Sequence, residues 1–423
     1  MAVWPRLDDL ARLPLPGSAA PGSIAFAPDG SAITYLHSTD ASLVRALWWH
    51  DLESGERRMI AGPPAEATTE ESLGLEEQLR RERTRTSELG VTQYAWAREA
   101  AVPTLVVPVG GQVYVAVGND VRRGVTALEG ADGVASAVVS PDGRSVAFVR
   151  DGELWICGVA GGAPRRLTGD AGDGVFNGLA EFAAAEELDR HEGLWWSADS
   201  AAIAYAHVDE RHVPPFVIPH LGAGPGEPPS EQHRYPFAGG PNARVTLRIS
   251  EAAGGSHQEL DLGMAPDDYL ARVVAEPGGG WLVAVLPRDQ RSLRWLRVGR
   301  DGAARELWVE RSEPWLNLDN HTRVLRDGRV LRSTERTGYR HLELRTADGP
   351  LERQLTGGEW VVTDVAHVDE DRGEVLFLAT RHGGTERHLY AAPLDAPEPV
   401  ADPQRLTEDP GWHQVSVSRD GSA

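Results

Sequence analysis

Cysteine is nearly missing from this 423-residue chain: the single one, Cys157, lies in the strand-like run Leu154-Trp155-Ile156-Cys157. An internal disulfide is excluded, and the thiol reads as a small buried hydrophobe rather than a nucleophile. Cations are scarce too, 42 against 63 carboxylates for a formal charge of −21. That balance argues against nucleic acid or an anionic membrane as partner, because both demand clustered positive charge. No stretch approaches 18 uninterrupted apolar residues, and Met1 to Asp9 holds no cationic region followed by an apolar run. Neither a membrane-spanning helix nor an export signal is expected, and the chain reads as cytoplasmic.

The usual catalytic signatures are absent as well. The chain has no Gly-x-Ser-x-Gly elbow, no His-Glu-x-x-His, no Cys-x-x-Cys and no Walker loop, so the motifs that announce a hydrolase serine, a zinc site or a phosphate cradle are all missing. Its 14 histidines do not fall at ligand spacing; His207, His212, His220 and His233 are close in sequence and read as scattered surface side chains. No catalytic set, metal site or cofactor is expected within these residues.

What is present is repetition. Forty-six glycines, 29 prolines and short alternating runs mark many strands joined by tight turns. One unit is a strand, a Pro-Asp-Gly turn and a second strand, at Ile24 to Tyr35 and again at Val138 to Phe148, with degenerate copies at Ser197-Ala198-Asp199-Ser200 and Ser418-Arg419-Asp420-Gly421. A second unit, Arg166-Leu167-Thr168, Gln354-Leu355-Thr356 and Arg405-Leu406-Thr407, closes a blade. About four strands per repeat predict an all-β protein, a β-propeller. Seven blades are expected at about 22–60, 92–130, 134–168, 192–262, 265–310, 313–356 and 360–407, behind an N-terminal segment of residues 1–21. Trp412 to Gly421 reads as the opening strand and turn of one more, so the propeller is expected to be interrupted there unless that strand completes the first blade.

Helical insertions break the strand rhythm. One spans about 66–90, where Thr68 and Glu71 have capping-box spacing and Leu79-Arg80-Arg81-Glu82-Arg83-Thr84-Arg85 continues a polar helix toward Gly90. The other, about 178–192, is rich in Ala and Glu, free of proline and β-branched residues, and runs into Trp195-Trp196. A third excursion, Gly222 to Ser230, is a proline-glycine loop expected outside the blades and in a partner contact. Glu186 and Glu187 place two adjacent carboxylates on the second helix, able to face a cation, and the arginines supply forks able to grip a carbonyl or carboxylate. Each set is equally readable as a solvated helix face.

At these residues the chain resembles the N-terminal β-propeller of the dipeptidyl peptidase IV family of prolyl-oligopeptidase-type serine peptidases. The resemblance is carried by Leu79 to Arg85, by Ala185-Glu186-Glu187 with Trp195-Trp196-Ser197, by Tyr235-Pro236-Phe237-Ala238-Gly239 with Asn242, and by Ser333 to Leu342 and Gln354 to Val362. It implies an eight-bladed propeller covering a C-terminal α/β-hydrolase domain, with seven blades and the start of another in these residues. It implies that Glu186 and Glu187 hold the free α-ammonium of a peptide and that Arg83 or Arg85 holds the carbonyl of its second residue. It also implies as partners peptide N-termini, the hydrolase domain and a second copy in a homodimer. Serine, aspartate and histidine would belong to a hydrolase domain beyond residue 423, leaving the propeller inactive alone: a fragment, half of a split enzyme or a decayed relative. The rival expectation is a non-enzymatic propeller scaffold that binds a protein, with the glutamates as surface charge only.

Overall fold

A computed structural model describes residues 6–12, 20–40, 42–64, 67–69, 78, 81–222, 224, 229–397 and 399–422. Among the described residues seven sheets follow one another along the chain, each built on an antiparallel path of four strands, at 22–61, 95–132, 136–166, 175–259, 269–311, 323–354 and 362–405; the first and fourth carry a fifth strand. This is the blade repeat of a β-propeller. The described residues form two compact units, residues 1–147, 157–164 and 321–423 in one and 148–156 and 165–320 in the other. Blades one, two, six and seven belong to the first unit, blades four and five to the second, and the strands of blade three are divided between them.

The blade turns follow directly from Pro-Asp-Gly chemistry. In the first, Gly30 takes φ 71° and its N–H donates to the Ala27 carbonyl at 2.9 Å, while the Asp29 carboxylate accepts from the Ser31 N–H at 3.0 Å. The Ser140 and Ser418 copies repeat this geometry at Gly143 and Gly421, each with a serine hydroxyl bonded to the turn aspartate, which in the Ser418 copy supplies part of the rigidity that proline gives elsewhere. Ser200 stands in the glycine position of the Ser197 copy at φ 61°, held by its N–H to the Ser197 carbonyl. The hairpin loops after Ala27, Ser140 and Ser197 each span four residues, as where the Ala27 N–H donates to the Ala32 carbonyl at 2.8 Å, and one left-handed residue lets the chain reverse within each.

The Leu-Thr units close blades by a second device. Thr168 accepts the Leu154 N–H at 2.8 Å and donates to the buried Glu153 carboxylate. Thr356 accepts the Leu342 N–H at 3.0 Å beside the buried His341, and Thr407 accepts the Leu389 N–H at 3.1 Å beside the buried His388. One hydroxyl thus ties the end of the fourth strand to the start of the third and satisfies a polar neighbour that the sheets bury. The adjacent leucine is buried in two of the three copies, Leu167 and Leu355.

No blade hides its own faces, so the core lies between sheets. Leu36, Leu47 and Trp49 of the first blade meet Leu105 and Val107 of the second. Leu247 and Ala204 of the fourth meet Trp281, Val283 and Val298 of the fifth, and Leu342 and Leu344 of the sixth meet Trp360, Phe377 and Tyr390 of the seventh.

Three segments depart from sequence expectation. The fourth blade starts at Val175 rather than near 192, because its first strand is split around the second insertion. Between its second and third long strands a separate hairpin pairs Pro215–Pro219 with Ser230–Arg234, and the proline-glycine loop, of which residues 223 and 225–228 lie outside the described residues, connects its strands. The expected strand after Trp412 makes one bridge, Arg387 to Trp412, and no ladder; Ser416 instead donates to the Ile24 carbonyl of blade one at 2.7 Å and Arg419 pairs with Glu99 at 2.5 Å.

Thr168→Val should cost about 1–3 kcal/mol, since it strands the Leu154 N–H and takes one of three donors from the buried Glu153 carboxylate, read as a lower urea midpoint with the slope unchanged. His341 is held below the usual histidine range by burial, so it is neutral when folded. Its stabilising effect is complete above the unfolded value of about 6.5 and is lost as pH falls through it, because the unfolded chain then binds the proton first. His341→Gln should flatten the loss of urea midpoint between about pH 7 and 5.

Candidate functional site

The second insertion is built on one strand. Ala202–Asp209 pairs its last residues with Val175–Asn177 and its middle with Leu194–Trp196, so two short strands share a single partner edge. Where they part, Ala206 serves both: its carbonyl accepts the Gly178 N–H and its N–H donates to the Gly193 carbonyl, each at 2.8 Å. Residues 178–193 leave and re-enter the ladder at that one position. The neck requires glycine. Gly178 holds φ 77°, and a Cβ on Gly193 would come within 2.4 Å of the Leu179 backbone.

Inside the insertion, Phe182–Glu187 is a short α-helix with Ala184, Ala185 and the following Leu188 buried. Ala184 and Ala185 pack with Ala180 in a small apolar cluster, and the helix lies against Tyr269–Ala275, the first strand of blade five. Glu186 and Glu187 then fall on the exposed side of its last turn, and among the described residues neither side chain makes a hydrogen bond or ion pair. Asp189 ends the helix at φ 51° and accepts from Asn320 at 2.6 Å.

A buried ion pair spans the helix: Arg190 meets Glu181 at 2.5 Å, with both side chains under 5% exposed. No local motif announces these two residues. They are nine apart, a spacing that no helix brings together, and they meet only because the chain reverses after Leu188. The signal that was legible is an arginine between an alanine-rich run and a tryptophan pair, where a solvated cation has no place.

The expected guanidinium set falls in the first unit, whereas both glutamates are in the second. Arg81, Glu82 and Arg83 are helical, and the chain then turns at Thr84 and Arg85, the latter at φ 52°; Arg81 is buried, Arg83 half-buried and Arg85 exposed. The helix therefore ends at Arg83 rather than near Gly90, which instead lies in the strand Leu89–Gly90, pairing in parallel with Val44 and Arg45. Arg80 and Glu71 lie outside the described residues. Of the four neighbouring histidines, His207 bonds Asn177 and His212 bonds the Asn242 carbonyl, while His220 and His233 both face Glu231 on the hairpin. Cys157 is buried, and that burial together with the nearby Glu129 carboxylate pushes its thiol up, as for an inert side chain. Among the described residues no metal-ligating group of histidine, cysteine and carboxylate assembles, and no helix is long and apolar enough to cross a membrane.

Residues 111–423 match the family described as the dipeptidyl peptidase IV (DPP IV) N-terminal region. A probable dipeptidyl-aminopeptidase B of Emericella nidulans is 31% identical over 320 residues, 67% of this chain and 34% of that protein. A probable dipeptidyl peptidase 4 of Aspergillus fumigatus is 31% identical over 272 residues, 60% of this chain and 35% of that one. The chain thus spans about a third of the length of these curated relatives. In fold it is similar to the crystal structure of Porphyromonas gingivalis dipeptidyl peptidase 4, with a TM-score of 0.72 and 23% identity over 93% of this chain and 54% of the other.

Gly193→Ala forces the Gly178-Leu179 backbone aside. It should cost about 1–3 kcal/mol, the range for overpacking a tight site, and raise amide exchange selectively over residues 178–194, measured by mass spectrometry on the folded chain.

Proposed function

The chain belongs to the family of dipeptidyl peptidase IV N-terminal regions, and on that premise we propose that it is the substrate-selecting propeller portion of a dipeptidyl aminopeptidase. In this reading Glu186 and Glu187 receive the α-ammonium of a peptide, and Arg83 or Arg85 takes the carbonyl of its second residue. The observation that carries it is the pair of adjacent exposed carboxylates, without a cation of their own among the described residues, on a helix fastened to a blade. Two carboxylates match a group with one positive charge and three N–H donors. An acetylated terminus offers no charge and one N–H in place of three, so it is rejected. Peptide cleavage would need a serine, aspartate and histidine from a hydrolase domain; the propeller selects by anchoring one end of the substrate.

A scaffold reading draws on the Pro215–Pro219 strand, whose five residues are all exposed and include Phe216, Val217 and Ile218. Such a surface suits a protein partner, a second copy among them.

Calorimetric titration with a free-N-terminus tripeptide and its N-acetyl form separates the two. The expected outcome is tenfold or greater preference for the free form, abolished in Glu186→Gln/Glu187→Gln. Equal affinity for both peptides, or none for either, would favour the scaffold.

A further inference from the structure

We propose that Arg190 is the positioning residue of the paired-carboxylate site, setting through Glu181 the direction in which Glu186 and Glu187 point. The proposal rests on reading those carboxylates as an ammonium site, and it concerns what holds them.

The helix cannot hold itself. Six residues are far below the length at which a helix is stable alone, no side chain caps its Glu181 end, and no basic residue lies in its last turn. Its orientation is therefore imposed from outside, and one buried side chain reaches most of the surrounding structure. From Arg190, one terminal nitrogen donates to Glu181 Oε2 at 2.5 Å, ahead of the helix. The other donates to the Glu192 carbonyl at 2.6 Å on the returning stem, and Nε donates to the Leu270 carbonyl at 2.8 Å on the first strand of blade five. The backbone N–H donates to Ala184 within the helix at 2.9 Å, and the guanidinium lies over the Trp195 ring at 5.7 Å. The start of the helix, its body, the exit stem and the next blade are tied to one planar group.

The geometry of that group matters. Three acceptors in different directions suit the fixed fork of a guanidinium and not the single point of an ammonium. Glu181 adds a second constraint, because its Oε1 is buried without a hydrogen bond, and the residue itself borders a small cavity lined also by Phe182, Asn242 and Tyr269. The carboxylate depends on Arg190 for its compensation, so the pair acts as a unit. Glu186 and Glu187 lie four and three residues before Arg190, and a shift of the helix about this post displaces both together.

The test uses the full chain in two variants. Arg190→Lys keeps the charge but not the fork, and Glu181→Gln/Arg190→Met removes both charges, so that no buried carboxylate is left alone to unfold the chain. Both are expected to keep the circular dichroism of the parent, to exchange the amides of residues 182–190 about tenfold faster or more, and to lose about tenfold or more of the preference for the free tripeptide over its acetylated form, as expected when anchoring groups shift by about an ångström. If the parent chain binds both peptides alike, the ammonium site itself fails and this proposal falls with it. If the parent discriminates and the folded double variant does so equally, with unchanged amide exchange, the site stands and the role of Arg190 is overturned.

Discussion

The hydrogen bonds of Ala206 are the constraint on which the proposed site depends. A strand ladder admits an insertion only if the backbone groups at the break find partners, because a buried unpaired N–H or carbonyl costs as much as a lost hydrogen bond. Here the break falls opposite one residue, which accepts from Gly178 and donates to Gly193. The strand Ala202–Asp209 continues past it to pair with Arg244–Glu251 over its full length. The blade therefore stays intact while residues 178–193 project from it. Everything proposed for Glu186 and Glu187 follows from their standing on that projection.

Much of the fold was legible in the sequence because its repeats are local chemistry. The Pro-Asp-Gly turns and their degenerate serine copies declare themselves within four residues, and Asp199 and Asp420 act in the same way where proline is missing. The Leu-Thr closure was visible as a pattern, while its reason was not: the threonine hydroxyl meets Glu153, His341 and His388 from a different strand, at sequence distances that no local motif encodes. The paired glutamates were legible because they are adjacent, and the Ala run because alanine favours helix.

What stayed hidden depends on long-range contact. The split first strand of blade four could not be read, because Val175–Asn177 is short and gains its identity only beside Val208 and its neighbours. The hairpin of Pro215–Pro219 was not foreseen, because prolines are poor strand residues, and here they form a strand outside any blade. Arg190 was the largest omission. The chain contains no lysine, so each of its 42 cationic side chains is a guanidinium. Several of them span two carboxylates, as Arg300 does with Asp199 and Glu251 and Arg248 with Asp170 and Glu259. In that company a buried arginine does not stand out by residue type.

Two stems that meet at one residue make the inserted segment a cassette. Its length and sequence can change without shifting the register of the sheet beneath, since both ends return to the same rung. Related chains could then exchange the recognition element while conserving the blade, and a grafted segment from another propeller needs to match the two glycines and the contact that Arg190 makes with the Leu270 carbonyl.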